Sequence, residues 1–343
     1  MLQITLARRV RGKARRSSFF AMRKIRSTRI QLLSPLISLR GIGEIFLCLP
    51  LLFSAGAVMR AQTPQPGSLE RQLAAIASSF GGKVTVAGVD LKTGERFGLN
   101  ADRPVQTASV IKLPVMVEAF YQMQEGRLRW SQRVAETDFD RVRGSGILQD
   151  LSPQINLTLG DAITLMIVLS DNTASNMVFR TVGIDAVNAR MKKLGLKHTI
   201  LFGYVFHKKV PATPESKKFG LGVTTADDMV HLLTLIRQHK ILTPEACDHM
   251  LTILSKQRDI DAFPRYTSSY PGVTWEHKTG ALDALRNDVG IAETPAGPIV
   301  LAGFAYDSPD QQWTADNAAI LVLARLAKVV LAHFLPAPAK ANP

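Results

Sequence analysis

Three short polar clusters in this chain carry residue types that can do chemistry together. The first is Ser109-Val110-Ile111-Lys112. On a helix, positions i and i+3 share a face one turn apart, so the Lys112 amine can approach the Ser109 hydroxyl. Pro114 is easiest to place in a helix's first turn, which sets the helix start near Ser109. A hydroxyl there is exposed beside backbone N–H groups that can receive an oxyanion. Serine is a poor nucleophile until a base takes its proton, and a lysine partly desolvated in a site can do so. Read alone, the pattern is more often a helix start with a solvated lysine.

Ser170-Asp171-Asn172 falls at the junction of two apolar helical stretches. A short loop there can project Ser170 and Asn172 into a cleft while Asp171 holds the loop through backbone hydrogen bonds. The same three residue types are also the preferred helix N-caps. Lys278-Thr279-Gly280 closes a strand that begins at Thr274. It offers a positive charge, a hydroxyl and a glycine that lets a ligand approach the backbone, or simply a turn. Either exact tripeptide arises by chance in roughly one of twenty chains of this length. Both together with the serine–lysine pair, in this order, are much rarer.

The elements around these clusters are legible from periodicity and caps. Leu69, Leu73, Ile76 and Phe80 have helical spacing, stopped by Gly81-Gly82. Residues 83–91 alternate as a strand, 92–95 turn, and 96–100 return as a second strand. Thr158 with Asp161 forms a capping-box signature for a helix reaching Leu169. A helix over 173–182 is closed by Gly183, and another begins at Thr224. Strands are expected over 274–278, 288–293 and 299–304, then a helix over 318–334 capped by Asp316-Asn317. That last helix contains Arg325 and Lys328 and is short for a bilayer span. Strands at both ends around a helical middle suggest one sheet built from the two ends of the chain, with a helical subdomain inserted.

The three clusters in this order resemble the penicillin-recognising serine enzymes, most closely class A β-lactamases, whose motif set is the same. The resemblance extends over Leu69 to Phe334. Asn176 matches a family asparagine that braces the active-site loop, and Gly144-Ser145-Gly146 lies where the family has a cleft-rim loop. The resemblance implies a mixed α/β fold: a five-stranded antiparallel sheet flanked by helices, with an inserted all-helical subdomain. It implies that Ser109 attacks a β-lactam carbonyl to form an acyl-enzyme, that Lys112 helps to activate it, and that Ser170 relays a proton to the leaving nitrogen. Asn172 would contact the substrate's side-chain amide. Lys278 and Thr279 would bind its carboxylate, with Arg286 as an assistant or merely a solvated surface residue. The N–H groups of Ser109 and Ala281 would form the oxyanion hole. No metal or organic cofactor is implied.

One expected residue is missing. The family's second base is a glutamate whose place falls near Val205 to Val210, where the chain reads Val-Phe-His-Lys-Lys-Val. The nearest acid is Glu215, a candidate base or a solvated loop residue beside Lys217 and Lys218. His207 is a substitute base by its ordinary pKa range. The acylation machinery therefore reads as complete and the deacylation machinery does not. The leading expectation is a β-lactam hydrolase. The alternatives are a D-alanyl-D-alanine-type peptidase and a penicillin-binding protein that acylates with slow or no turnover.

Composition limits the remaining classes. The chain has 343 residues, 46% of them hydrophobic, and a formal net charge of +14. Residues 1–61 hold 12 of the 42 Lys and Arg and one acid, Glu44, so the rest is nearly balanced. A basic stretch, an apolar run over 45–58 and small residues near Ala57 and Ala61 describe a secretory signal better than a nucleic-acid-binding arm. Its start at Met1 or Met22 and its cleavage after Ala57 or Ala61 both stay open. The expected organisation is a signal over 1–61, a linker over 62–68, a catalytic domain over 69–335 and a disordered tail over 336–343. The expected partner is a small β-lactam or a cell-wall peptide, with no nucleic acid and no stable membrane anchor. The protein would be a periplasmic or secreted monomer. Cys247 would be alone after loss of Cys48, so no internal disulfide is available.

Overall fold

The computed structural model describes residues 68–208 and 212–335. The expected signal, linker and tail lie outside the described residues, apart from Ser68. Five antiparallel strands form the main sheet: β1 (Lys83–Asp90), β2 (Arg96–Leu99), β3 (Thr274–Leu282), β4 (Leu285–Glu293) and β5 (Ile299–Tyr306). Their spatial order is β2-β1-β5-β4-β3, so the N-terminal hairpin joins the C-terminal meander directly through β1 and β5.

Both faces of this sheet are covered, and β5 shows how. Val300, Ala302 and Phe304 pack into the core shared with the helical body, whereas Ile299, Leu301 and Ala305 pack under α1 (Ser68–Ser78) and a C-terminal helix over Ala318–Phe334. A strand buried on both sides reads as a continuous apolar run, which is how 299–305 reads. The C-terminal helix has the expected bounds, and Asn317 caps it by accepting from the Ala319 N–H at 2.9 Å.

The helical body contains α2 (Lys112–Gln124), α3 (Leu159–Val168), α4 (Asn172–Val182), α5 (Ile184–Lys193), α6 (Pro214–Phe219), α7 (Ala226–Arg237) and α8 (Pro244–Leu254). Thr158 and Asp161 form the expected capping box at the start of α3. The helix expected from Thr224 begins two residues later, because Thr224 pairs with Val105 in a small sheet and Thr225 takes the cap, accepting from the Asp228 N–H at 3.0 Å. Strands β3 and β4 are also longer than their apolar patterns suggest, meeting in a hairpin at Leu282 and Leu285. Among the described residues, no helix is long and apolar enough to cross a membrane.

Candidate active site

Ser109 lies in a 3₁₀ turn, Ala108–Ile111, that leads into α2, so the helix proper starts at Lys112 rather than at the serine. The turn is wedged between β3 and the small sheet. A Cβ on Gly280 would lie 2.8 Å from the Thr107 carbonyl oxygen and 3.1 Å from the Ser109 nitrogen, so only glycine lets β3 pass this close. Ala108 has φ 44°, a left-handed conformation that costs a non-glycine residue about 1–3 kcal/mol. That turn leaves Ser109 half-buried and facing a cavity, between buried Ala108 and Val110.

Behind the serine, α2 carries Lys112 into the interior, where it is fully buried. Its ammonium donates to the Ser170 carbonyl oxygen at 2.7 Å, the Ser170 Oγ at 3.1 Å and the Asn172 Oδ1 at 3.0 Å. Lys278 reaches the same hydroxyl from β3, with its Nζ 3.1 Å from Ser170 Oγ and 2.7 Å from the Thr279 carbonyl oxygen. One serine oxygen thus bridges two buried lysines. Burial holds the Lys112 amine well below its ordinary pKa, the charge of Lys278 pushes the same way, and Asp171 opposes both. Burial lowers Lys278 to about 8, against the opposing pull of Asp259 and Asp288. Burial and the neighbouring Lys278 charge thus both favour the neutral form of Lys112 beside Ser170.

Ser170 adopts φ 53° and Asp171 caps α4. Asp171 is buried; Oδ1 accepts from the Ala174 N–H at 2.8 Å, and Oδ2 accepts from Ile147 at 2.7 Å and Leu148 at 2.9 Å. One carboxylate therefore sets both the interhelical loop and the rim loop at 144–148. Gly146 is required beside it, since its φ is 102° and a Cβ would fall 2.2 Å from Asp171 Oδ2. Asn172 is locked in turn, donating from Nδ2 to the Arg143 carbonyl oxygen at 3.1 Å.

A further part of the cavity wall comes from Val205 and Phe206. Asn176, fully buried on α4, accepts from the Val205 N–H at 2.9 Å and donates to the Val205 carbonyl oxygen at 3.3 Å and to that of Asp140 at 3.2 Å. The expected bracing asparagine thus holds the backbone of Val205, whose own side chain is apolar. His207 stacks on Phe139 with ring centroids 4.0 Å apart, and its Nε2 lies 2.8 Å from the Phe139 carbonyl oxygen. Glu215 is exposed in the first turn of the short α6 and does not line the cavity.

The cavity itself measures about 710 Å³ and brings Ser109, Ser145, Asn172 and Ala281 together with Val205 and Phe206. Thr279 lines a smaller neighbouring cavity with Arg286 and Trp313. Arg286 is mostly buried; its guanidinium donates to the carbonyl oxygens of Leu282, Leu285 and Gln312 and stacks 4.5 Å from the Trp313 ring. Burial lowers its pKa from the ordinary arginine value. Phe219, Leu221 and Trp313 also line the main cavity and went unmarked in the sequence. The signal available for Trp313 is an aromatic set in the polar run Asp310-Gln311-Gln312-Trp313-Thr314.

Such a site, on this sheet and helical body, is that of the β-lactamase and penicillin-binding-protein class of serine hydrolases. Residues 68–334 match the model of the Beta-lactamase enzyme family, and the chain belongs to that family, in its class A-like branch. A solved β-lactamase from Sphaerobacter thermophilus is 31% identical, with a TM-score of 0.69, over 78% of this chain and 96% of that one. The structure of PBP-A shares the fold, with a TM-score of 0.69 and 24% identity over 79% of this chain and 97% of its own. Beta-lactamase PSE-4 of Pseudomonas aeruginosa is 25% identical over 146 residues, 42% of this chain and 50% of that protein. The chain thus spans about half the length of that curated relative. The β-lactamase regulatory protein BlaB of Streptomyces cacaoi is 22% identical over 64% of this chain and 82% of its own.

Proposed function

We propose that this protein is an exported serine hydrolase that opens the amide of a β-lactam through an acyl-enzyme on Ser109 and releases the product slowly. The observation that carries this reading is the Ser170 hydroxyl held 3.1 Å from both Lys112 and Lys278 behind a half-buried Ser109. In its neutral form Lys112 takes the Ser109 proton as Oγ attacks the lactam carbonyl. The Ser109 and Ala281 N–H groups stabilise the oxyanion. Ser170 passes a proton to the departing nitrogen and recovers one from Lys112, so the lactam C–N bond breaks without releasing a charged amide ion. Lys278 and Thr279 hold the substrate carboxylate, Asn172 meets the side-chain amide, and Arg286 adds positive potential from the adjoining cavity.

Deacylation needs a base that drives water onto the ester. The backbone that Asn176 grips carries Val205, and Glu215 points its helix turn at solvent. This supports slow release, and with it a second reading: a D-alanyl-D-alanine-type peptidase or a penicillin-binding protein that keeps the acyl group. Intact mass after mixing with benzylpenicillin tests both. A persistent adduct that is absent from Ser109→Ala supports acylation with slow release. An adduct that appears and clears while drug is consumed shows efficient hydrolysis. No adduct and no drug loss would remove Ser109 as nucleophile.

A further inference from the structure

A basic cavity of about 330 Å³ lies outside the site described above. Lys83 at the start of β1, Tyr306 at the end of β5 and Leu285 at the start of β4 line it, together with Arg103, Asp307 and Lys218 of α6. The sheet register sets three of these in a row, with Lys83 opposite Tyr306 and Tyr306 opposite Leu285. Phe219 and Leu282 line both this cavity and the one that holds Ser109, so the two adjoin there. None of Ser109, Lys112, Ser170, Asn172 and Lys278 lines it.

The lining sets three cations against one acid. Asp307 is already engaged, with Oδ2 2.7 Å from Lys83 Nζ, and that pair is exposed and therefore weak. Among the described residues the Arg103 side chain has no hydrogen bond and no ion pair. Lys218 has no acidic partner among them either; its ammonium lies 4.7 Å from the Phe219 ring centroid. Its backbone is fixed, since the Lys218 carbonyl oxygen accepts from Gln106 Nε2 at 2.8 Å. Tyr306 adds a second observation. Its hydroxyl is buried and has no hydrogen-bond partner, an unmet group that costs free energy until something pairs with it. Burial raises its pKa, with Arg103 and Lys83 pulling down and Asp307 pushing up, so it stays a donor at neutral pH.

We infer that this cavity is a binding site, apart from the Ser109 cavity, for a phosphate monoester whose organic part is apolar. The excess of cations matches such a group, which carries about −1.5 to −2 charge near pH 7. Its oxygens supply acceptors for Arg103, for Lys218 and for the Tyr306 hydroxyl. Its organic part meets an apolar floor in Val105 and Leu285, both buried, with Phe219 beside them. An uncharged apolar ligand would leave the cations and the hydroxyl unmet, and bare inorganic phosphate would leave the floor uncovered. The site exists whatever Ser109 does, since no residue of the proposed machinery lines it.

Calorimetric titration of the protein with phenyl phosphate tests this, with inorganic phosphate and benzoate as comparison probes. The variants are Arg103→Ala, Tyr306→Phe and Arg325→Ala, the last removing one exposed charge from the C-terminal helix. The expected result is saturable binding of phenyl phosphate that weakens with added salt, with both comparison probes at least about fivefold weaker. Arg103→Ala should weaken phenyl phosphate by about tenfold or more, Tyr306→Phe by about threefold to tenfold, and Arg325→Ala by less than about twofold. Thermal unfolding gives a second readout. Tyr306→Phe removes an unmet hydroxyl, so the free variant should melt no lower than the native protein, while the upward shift given by phenyl phosphate shrinks. No saturable binding up to about 10 mM would overturn the inference, as would binding that survives both Arg103→Ala and Tyr306→Phe. Equal affinity for inorganic phosphate or benzoate would overturn the choice of ligand. A Tyr306→Phe protein that melts lower without ligand would show that the fold already satisfies the hydroxyl, and would overturn its role.

Discussion

Two regions around Ser109 are built by opposite rules, one buried behind the cavity and one lining it. On the Lys112–Ser170–Lys278 side, side chains from α2, the interhelical loop and β3 converge, and their polar atoms are spent on one another. On the 202–208 side the backbone is held as firmly, by Asn176, but the side chains at Val205 and Phe206 carry no titratable group. The first brings ionisable side chains into contact; Val205 and Phe206 can only shape and exclude. On the proposed function, acylation and deacylation are expected to be separable, because different regions of the site would supply them.

The strongest way to break that contrast is to disable the first region. Lys112→Met should lower the acylation rate by on the order of 10³ with the fold kept, since the base is lost while the buried alkyl chain remains. Stopped-flow acylation with a chromogenic cephalosporin would read it, and a rate within about tenfold of native would place the base elsewhere.

The second prediction gives the second region what it lacks. Val205→Glu puts a carboxylate on the backbone that Asn176 already positions, and should raise the deacylation rate by on the order of 10², whereas Val205→Gln should not. Adduct lifetime is the readout, and equal lifetimes in the two variants would mean that this region does not face the ester.

A smaller effect sharpens the electrostatics of the first region. Lys278 has its pKa lowered to about 8, so its positive charge is present below that pH and lost above it. Lys112, also lowered, must lose its proton to act, so acylation rises with pH on the acid side. Acylation of a carboxylate-bearing β-lactam should therefore pass through a maximum and fall by up to about tenfold per pH unit well above the Lys278 pKa. A profile that stays flat through alkaline pH would exclude Lys278 as the carboxylate anchor.

The smallest expected change is Asn176→Ala. It removes three buried hydrogen bonds to the backbone of Val205 and Asp140 and should cost about 2–3 kcal/mol of stability, read by urea denaturation. Acylation by a penicillin with a plain acetyl side chain should change by less than about fivefold if the two regions are independent. A collapse of acylation would show instead that they are coupled through α4.

Much of this architecture was legible because local chemistry and fold agree. The Thr158–Asp161 box, Gly183 after α4 and Asn317 before the last helix are each enforced by nearby backbone groups, and each appears where its signal lies. The shift from Thr224 to Thr225 was not legible, because strand pairing with Val105 decides it and that partner lies far away in sequence. The three motifs signalled a shared site, but not that Ser170 bridges two lysines. That geometry depends on α2 and β3 meeting across 58 and 108 residues of separation from Ser170. The exposed aromatics at 206 and 313 were silent for a different reason. Periodicity reports what a core buries, and these rings are placed by loops that bury little.

The central claim is that one region acylates and the other fails to release. A burst experiment tests it most directly: the protein is mixed with excess benzylpenicillin and drug loss is followed from the first seconds. The account predicts a rapid burst of about one equivalent per protein, absent in Ser109→Ala, followed by a much slower steady rate. Steady consumption from the start, with no burst and no acyl-enzyme by mass, would contradict it.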